Sequence, residues 1–308
     1  MAASAKHLLA QRPVIAAIAK TALTALGQRL RGSSEGMVTT PGPQFTQRIN
    51  PRPPGLIRDY VRTVYGDPSS YRHTLPAHLF PQWGFPLLAK TLSDIPYPLM
   101  RVLNGGCDLV INAPLPATEP LHVSAQLVGV DDNGSRAVLE QRLITGVSDH
   151  PDALIATMFA VVPLKQRNAP SGGAKTPKAR PRVSETAREL AHWKLTPQLA
   201  RDFAILTGDI NPIHWLATYA RASGFRNTIL HGYATMAIAM ETFGHVVLAG
   251  DMGRLARFNC KFVRPLTLPA RVGLYLEEDS LWVGDAPGGP AYMTANVEIR
   301  NDDHELAR

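Results

Sequence analysis

An internal repeat is the feature that most constrains the fold of this 308-residue chain. The segment Arg58–Asp67 resembles Arg201–Asp209, with one residue inserted. Further along, the same separation of 29 residues joins two histidine–cysteine pairs: His78 with Cys107, and His231 with Cys260. Because several matches occur in one order, we expect the chain to contain two copies of one unit with a shared fold.

Each copy is predicted to be an α+β unit in which helices precede antiparallel strands. Helical spacing without internal proline predicts helices over Gln198–Leu206 and Tyr233–Leu248. Asn133-Gly134 favours a tight hairpin between two strand-like runs. The strand-like runs are Leu121–Val130, Ala137–Thr145, Leu154–Val162, Leu255–Val263, Ala270–Leu276 and Ala291–Ile299.

Two basic segments account for the formal net charge of +7. Residues 1–34 hold five basic side chains and residues 165–184 hold six, and neither stretch contains an acid. The remainder is mildly acidic, without the interleaved aromatics of a single-strand-binding surface, so nucleic-acid binding is not expected. The predicted segments are a basic amphipathic helix (1–37), a first unit (38–163), a basic Pro/Gly linker (164–184) and a second unit (185–308).

The sequence carries no apolar run near the ~20 residues that span a bilayer, so no transmembrane segment is expected. Two distant cysteines are too few for a disulfide framework and too far apart for a short metal-binding spacing. A cytoplasmic protein without a metal is the default expectation. Residues 1–34 keep three interpretations open: a packed helix, an organellar transit peptide, or a peripheral membrane contact.

The strongest candidate site lies around Pro212. Asn211-Pro212 alone would be explained by a helix cap followed by proline in the first turn. However, Asp209 and His214 flank the same turn, which brings a carboxylate, an amide and an imidazole into one small space. These groups suffice to activate water by acid–base chemistry.

A second candidate element is Gly232, at the start of the long apolar helix. Its backbone N–H and the positive helix end could stabilise a carbonyl oxygen that acquires negative charge, although a glycine there could also serve tight packing. A structural role is favoured for His231, because its counterpart His78 persists in the first unit.

The first unit is predicted to be catalytically empty. The offset between the copies grows from 142 at Gly66/Gly208 to 153 at His78/His231, and Asn211–His214 lies in the interval with the eleven extra residues. The first unit has Pro68–Tyr71 after Gly66-Asp67, without Asn-Pro-x-His.

The run Gly-Asp-x-Asn-Pro-x-His at 208–214, followed by Leu230–Tyr233, resembles the MaoC-like, R-specific enoyl-thioester hydratase family. The segment Arg257–Leu266 is similar to the strand that follows the family's central helix. The resemblance implies a hot-dog fold, here doubled. Chains with this organisation look most like bacterial 3-hydroxyacyl-thioester dehydratases.

This resemblance implies reversible hydration of trans-2-enoyl thioesters to (3R)-3-hydroxyacyl thioesters, in fatty-acid or polyketide-type metabolism. Asp209 and His214 would divide the proton transfers, Asn211 would orient the water and Gly232 would form the oxyanion hole; which residue of the pair removes the α-proton stays open. No cofactor is expected beyond the carrier of the substrate, coenzyme A or acyl-carrier protein. Candidate substrate-binding residues are Leu230, His231, Tyr233 and Arg264.

Several alternatives remain at the sequence level. Phe80–Leu88, distorted by Pro86, could shape an acyl tunnel or be ordinary core. Lys261, Arg264 and the linker could steer an anionic carrier, or the linker charges could serve only solubility. The competing functions are a non-catalytic acyl-thioester-binding protein and a hot-dog thioesterase, for which Glu241 is the only acid on the central helix. Dimerisation is left open.

Overall fold

The computed structural model describes residues 3–17, 38–93, 95–98, 102–164 and 179–300. The first unit contains β1 (Phe45–Ile49), α1 (Pro54–Thr63), β2 (Thr74–Leu75), α2 (Pro81–Thr91), β3 (Leu103–Ile111), β4 (Leu115–Pro116), β5 (Leu121–Asp132), β6 (Arg136–Gly146) and β7 (Leu154–Pro163). The second contains β8 (Arg188–Leu195), α3 (Pro197–Thr207), α4 (Ala217–Ala222), α5 (Gly232–Val246), β9 (Leu255–Phe262), β10 (Ala270–Glu277), β11 (Ser280–Gly284) and β12 (Ala291–Ile299).

Ten of the described strands form one sheet, in the order β1-β5-β6-β7-β3-β9-β12-β11-β10-β8. The second half of this order repeats the first in reverse, so the units are related by a pseudo-twofold axis between β3 and β9. Cys107 pairs directly with Cys260 across this antiparallel junction. The duplication and the α+β class predicted from the repeat are therefore confirmed.

The central helices pack differently against the sheet. Helix α5 is buried on nearly all sides, in keeping with its apolar sequence Gly232–Val246. Helix α2 lies so close to β6 that a Cβ on Gly84 would be 2.4 Å from Leu143 Cδ2. Pro86 lies inside α2 without ending it, and most α2 side chains are buried. This close packing favours the core interpretation of Phe80–Leu88 over a tunnel.

The predicted order of helix before strands is wrong, because each unit opens with a strand. β1 and β8 lie at the two edges of the sheet, and their side chains are mostly exposed or half-buried. An edge strand of polar composition lacks the alternating apolar pattern that marks a half-buried strand. For the same reason, the sequence did not predict the strand Arg188–Leu195.

Residues 3–17 pack as a helical segment against both units, as expected for a packed helix. The His7 Nε2 atom lies 2.8 Å from Asp59 Oδ2 on α1, and Gln11 Nε2 donates to the Leu206 carbonyl at 2.7 Å. Val14 is also buried. Residues 18–37 of the predicted N-terminal helix lie outside the described residues. Within the described ranges, no helix is long and apolar enough to cross a membrane.

The end of the predicted linker belongs to the second unit. Val183 is buried and packs with Tyr275 and Ala291, while Arg182 Nε donates to the Gly288 carbonyl at 2.6 Å. Residues 165–178 of the linker lie outside the described residues.

Candidate active site

The turn that carries the motif is shaped by Gly208. Helix α3 ends at Thr207, and Gly208 follows with φ 81° in the left-handed region, where a side chain is unfavourable. A Cβ at this position would also be 2.8 Å from the Cβ of Val14 in the N-terminal segment. The glycine thus lets the chain turn sharply into Asp209 beneath the packed N-terminus.

Pro212 then begins the 3₁₀ turn Pro212–His214. The Asn211 side chain caps this turn, because its Oδ1 accepts from the Ile213 N–H at 3.3 Å. The backbone N–H of Asn211 also acts on the carboxylate of Asp209, whose pKa it lowers. The helix-cap interpretation of Asn211-Pro212 is confirmed, and a role of the Asn211 amide in orienting water stays a prediction.

The turn brings Asp209 and His214 together. One carboxylate oxygen of Asp209 and one ring nitrogen each of His214 and His231 lie within 4.8 Å of one another. The Nδ1 atom of His214 lies 2.8 Å from the Ile229 carbonyl oxygen. Because a carbonyl can only accept, Nδ1 carries the proton and Nε2 of the neutral ring is left with a free lone pair.

His231 supports this arrangement. Its ring stacks on the ring of His214 at a centroid distance of 3.6 Å, with Phe203 at 4.9 Å. Its Nε2–H donates to the Asp209 carbonyl at 3.0 Å. These contacts agree with the structural role favoured from the repeat: His231 holds the backbone of one member of the pair and the ring of the other.

Burial shifts the pKa values of Asp209 and His214 toward each other. It raises the pKa of Asp209, against the opposing effects of His214 and the Asn211 N–H. It lowers the pKa of His214, against Asp209 and the Ile229 hydrogen bond. The pKa of His231 is lowered well below its usual value, first by burial and then by His214. Burial thus disfavours the charged form of each group, and because the pKa values of Asp209 and His214 shift in opposite directions, the energetic cost of moving a proton between them falls.

Asp209, His214 and His231 have the spacing of a metal-binding triad, but their geometry suits acid–base chemistry better. His214 Nδ1 and His231 Nε2 are each directed at a main-chain carbonyl. The two rings stack with an interplanar angle of 23°. The in-plane lone pairs of stacked rings run side by side, so they do not converge on one ion at the ~2.0–2.1 Å of a zinc–nitrogen bond.

Gly232 is the first residue of α5, where a helix N–H has no acceptor within the helix. A Cβ on Gly232 would lie 2.8 Å from the Phe262 ring, so the position also demands a small residue. The packing and oxyanion interpretations are therefore compatible. Phe262 requires a glycine at this position, and the backbone N–H of that glycine is not used within the helix.

The remaining predicted site residues have defined contacts. Leu230 is buried and its N–H donates to the Leu266 carbonyl at 2.8 Å. Tyr233 packs into a ring cluster with Phe80, Phe85 and Phe262. The Arg264 guanidinium donates to the carbonyls of Ala291 and Pro181 at 3.0 and 3.2 Å. Arg264 thus braces the start of β12, and its predicted contact with substrate remains a prediction.

Sequence reasoning missed one part of the site and a cavity elsewhere in the second unit. Ile229 orients His214 through its backbone carbonyl. Because every residue has this group, the residue type at position 229 could not predict the contact. A cavity of about 610 Å³, which Arg226 and Asn227 line but Asp209, His214 and Gly232 do not, was also missed. Its lining is Arg226, Asn227, Pro265, Thr267, Leu268, Pro269, Ala270, Arg271, Asp285 and Tyr292.

The first unit retains the turn but not its chemistry. Asp67 caps the 3₁₀ turn Pro68–Tyr71 by accepting from the Ser69 N–H at 2.8 Å, as Asn211 caps Pro212–His214. Ser70, the third residue after the capping residue, therefore occupies the position of His214. The extra residues of the second unit include α4, which lies between His214 and His231 in the same interval.

Comparisons with known proteins agree with this geometry. Residues 178–287 match the family model of the MaoC-like domain. The chain is 27% identical over 212 residues to 3-hydroxyacyl-thioester dehydratase X of Mycobacterium tuberculosis, covering 66% of this chain and 71% of that protein. It is 26% identical over 185 residues to peroxisomal enoyl-CoA hydratase 2 of Arabidopsis thaliana, covering 55% and 59% of the two chains.

Solved structures show the same fold. The crystal structure of M. tuberculosis HtdX superposes with a TM-score of 0.66 at 20% identity, covering 84% of this chain and all of that one. Another M. tuberculosis protein, described as having a double hot-dog fold, superposes with a TM-score of 0.52 at 13% identity, covering 85% and 97% of the two chains. The predicted double hot-dog fold is therefore confirmed.

Proposed function

We propose that this chain, which belongs to the MaoC-like dehydratase family, is a hydro-lyase that interconverts 3-hydroxyacyl and trans-2-enoyl thioesters. The observation that carries the proposal is the Asp209–His214 pair, which lies within 4.8 Å and has His214 Nε2 free to exchange a proton. Dehydratases and hydratases are also the named activities of its relatives.

In the hydration direction, the pair holds a water and takes up its proton as the oxygen adds to the β-carbon. Negative charge then moves to the thioester oxygen, where the Gly232 N–H at the start of α5 stabilises it. The same pair returns a proton to the α-carbon. In the reverse direction the α-proton leaves first and the β-hydroxyl departs as water. Either residue of the pair can serve as the base for the α-proton.

The finer parts of the proposal follow the family. The hydroxyacyl product has the (3R) configuration, the substrate is carried on coenzyme A or acyl-carrier protein, and the reaction belongs to fatty-acid or polyketide-type metabolism. No cofactor besides the carrier takes part in this mechanism. A cytoplasmic location and a homodimer are the accompanying proposals.

Glu241 argues against the thioesterase alternative. Its carboxylate is buried and lies 2.9 Å from His78 Nε2 in the first unit, rather than beside Asp209 and His214. A carboxylate held in this way does not reach a thioester at the start of α5. The non-catalytic alternative is disfavoured because the described residues keep the whole acid–base pair and its supporting contacts.

One assay separates the three functions. The protein is incubated with crotonyl-CoA and longer enoyl-CoA thioesters while the enoyl absorbance and the free thiol are followed together. We expect the absorbance to fall without release of thiol. Thiol release at the same rate would indicate a thioesterase, and binding without either change would indicate a non-catalytic protein.

The pH dependence of kcat/KM should reflect the shifted pair. The pKa of His214 is lowered from 6.5 and that of Asp209 is raised from 3.8, so the two groups titrate as one coupled unit. As pH falls through this titration, protonation removes the base and activity declines. We therefore expect constant activity through neutral pH and an acid limb with its midpoint below 6.5. A midpoint above 6.5 would contradict the assigned pair.

The cavity beside Arg226 and Asn227 offers a place for the anionic end of the carrier. Arg226 and Arg271 both line it, and the chain from Arg226 leads directly to the start of α5. Arg226→Ala should raise KM for an enoyl-CoA by roughly three- to fivefold, the scale of one exposed charge pair. KM for the matching enoyl-pantetheine thioester, which lacks the nucleotide phosphates, should not change. Arg221→Ala on α4 is the control; equal changes for both thioesters would contradict this placement.

A further inference from the structure

The catalytically empty unit contains a buried polar cluster that the proposed mechanism does not use. It consists of Tyr60, Tyr71, His78 and Glu241. All four are buried, and His78 has no exposed surface. His78 is the counterpart of His231, and Tyr71 directly follows Ser70, the counterpart of His214, so this cluster lies at the first unit's equivalent of the active site.

The carboxylate of the cluster comes from the other unit. Glu241 lies on α5, the helix that begins at Gly232, and its Oε1 accepts from His78 Nε2 at 2.9 Å. The Tyr60 hydroxyl donates to the His78 carbonyl at 3.0 Å and lies 3.0 Å from His78 Nδ1. Both nitrogens of His78 are therefore engaged, and the ring cannot turn without breaking a buried contact.

The backbone of the first unit is fitted to this carboxylate. A Cβ on Gly66 would lie 2.4 Å from the carboxyl carbon of Glu241. Gly66 is the counterpart of Gly208, whose missing side chain instead makes room for Val14. The equivalent glycines therefore make room for different neighbours. Gly208 in the second unit accommodates the N-terminal segment, and Gly66 in the first unit accommodates Glu241 on α5 of the second unit.

We infer that Glu241 is a positioning residue for the reaction proposed above: through His78, the empty unit holds α5 in place and so sets the position of the Gly232 N–H. Glu241 lies nine residues after Gly232, about 14 Å along the helix axis, and touches no reacting atom. A helix moves as a rigid element over this length. A shift at Glu241 is therefore transmitted to the amide at its start, where an error near 1 Å can lower turnover by about 10²-fold.

The test compares Glu241→Gln with His245→Gln, an exposed position on the same helix, in the full chain. For each protein, kcat per folded molecule, KM for crotonyl-CoA and the amide resonance of Gly232 in glycine-labelled protein are measured. We expect Glu241→Gln to lower kcat about 10- to 100-fold with little change in KM, and to move the Gly232 resonance. His245→Gln should change none of these quantities.

Gly66→Ala provides a second variant that alters only the first unit and presses on the Glu241 carboxylate. It should change kcat and the Gly232 resonance in the same way. If Glu241→Gln does not fold, the result for Gly66→Ala tests the inference on its own. An unmoved Gly232 resonance or an unchanged kcat in the folded variant would overturn the inference. An inactive wild-type protein would instead refute the proposed function, while the resonance would still report whether Glu241 positions α5.

Discussion

Replacing Asp209 by asparagine is expected to lower kcat about 10²–10⁴-fold, the contribution of a general acid–base group. Asparagine keeps the shape of the side chain but cannot exchange the proton that Asp209 shares with His214. The contacts that hold the backbone of this turn, such as the hydrogen bond from His231 to the Asp209 carbonyl, are retained. The loss should therefore appear in turnover, measured with enoyl-CoA at saturation, and not in the thermal stability of the fold.

Asp67→Asn is the matched control for this variant. Asp67 caps the equivalent turn in the first unit, and asparagine caps such turns as well as aspartate does. We expect unchanged kcat for Asp67→Asn. If the Asp67 and Asp209 variants had equal turnover, the assignment of catalysis to the second unit would be wrong.

The second large effect is expected from Gly232→Pro compared with Gly232→Ala. Both substitutions add a Cβ that meets Phe262, but only proline removes the N–H that the mechanism requires. Proline is otherwise well suited to the first position of a helix, and His231 before it already has an extended conformation, with φ −58° and ψ 137°.

Loss of one oxyanion-hole donor lowers kcat by about 10²–10³-fold, so the proline variant should be slower than the alanine variant by this factor. The comparison of the two folded variants at saturating substrate cancels the Cβ contact with Phe262, which both variants share. Equal kcat values would mean that Gly232 serves packing alone.

The fold was largely predictable because the repeat marks equivalent positions independently of secondary-structure propensity. The equal sequence separations of Cys107 from His78 and of Cys260 from His231 marked the two cysteines as equivalent, and in the structure they pair across the pseudo-twofold axis. Interior strands such as Ala291–Ile299 were predicted from their strand-like residues, and the structure buries alternate positions along them. The edge strands β1 and β8 were missed, since much of their side-chain surface faces solvent and their pattern is polar.

The candidate site was predictable where a residue type carries the chemistry, as with Asp209 and His214. It was not predictable where the contact depends on tertiary packing. The Ile229 carbonyl, the stacking of His231 on His214 and the attachment of Glu241 to His78 involve partners that are brought together only by the fold. Arg264 illustrates the converse: its residue type suggested an anionic ligand, whereas its guanidinium donates to two main-chain carbonyls.

The most direct test of the central claim is the origin of the β-hydroxyl oxygen. Crotonyl-CoA is incubated with the wild-type protein and with His214→Ala in water enriched in heavy oxygen, and the acyl product is analysed by mass spectrometry. The proposed function predicts 3-hydroxybutyryl-CoA that carries one heavy oxygen from the wild type, and almost none from the folded variant. Intact crotonyl-CoA with the wild type, or equal labelling with both proteins, would contradict it.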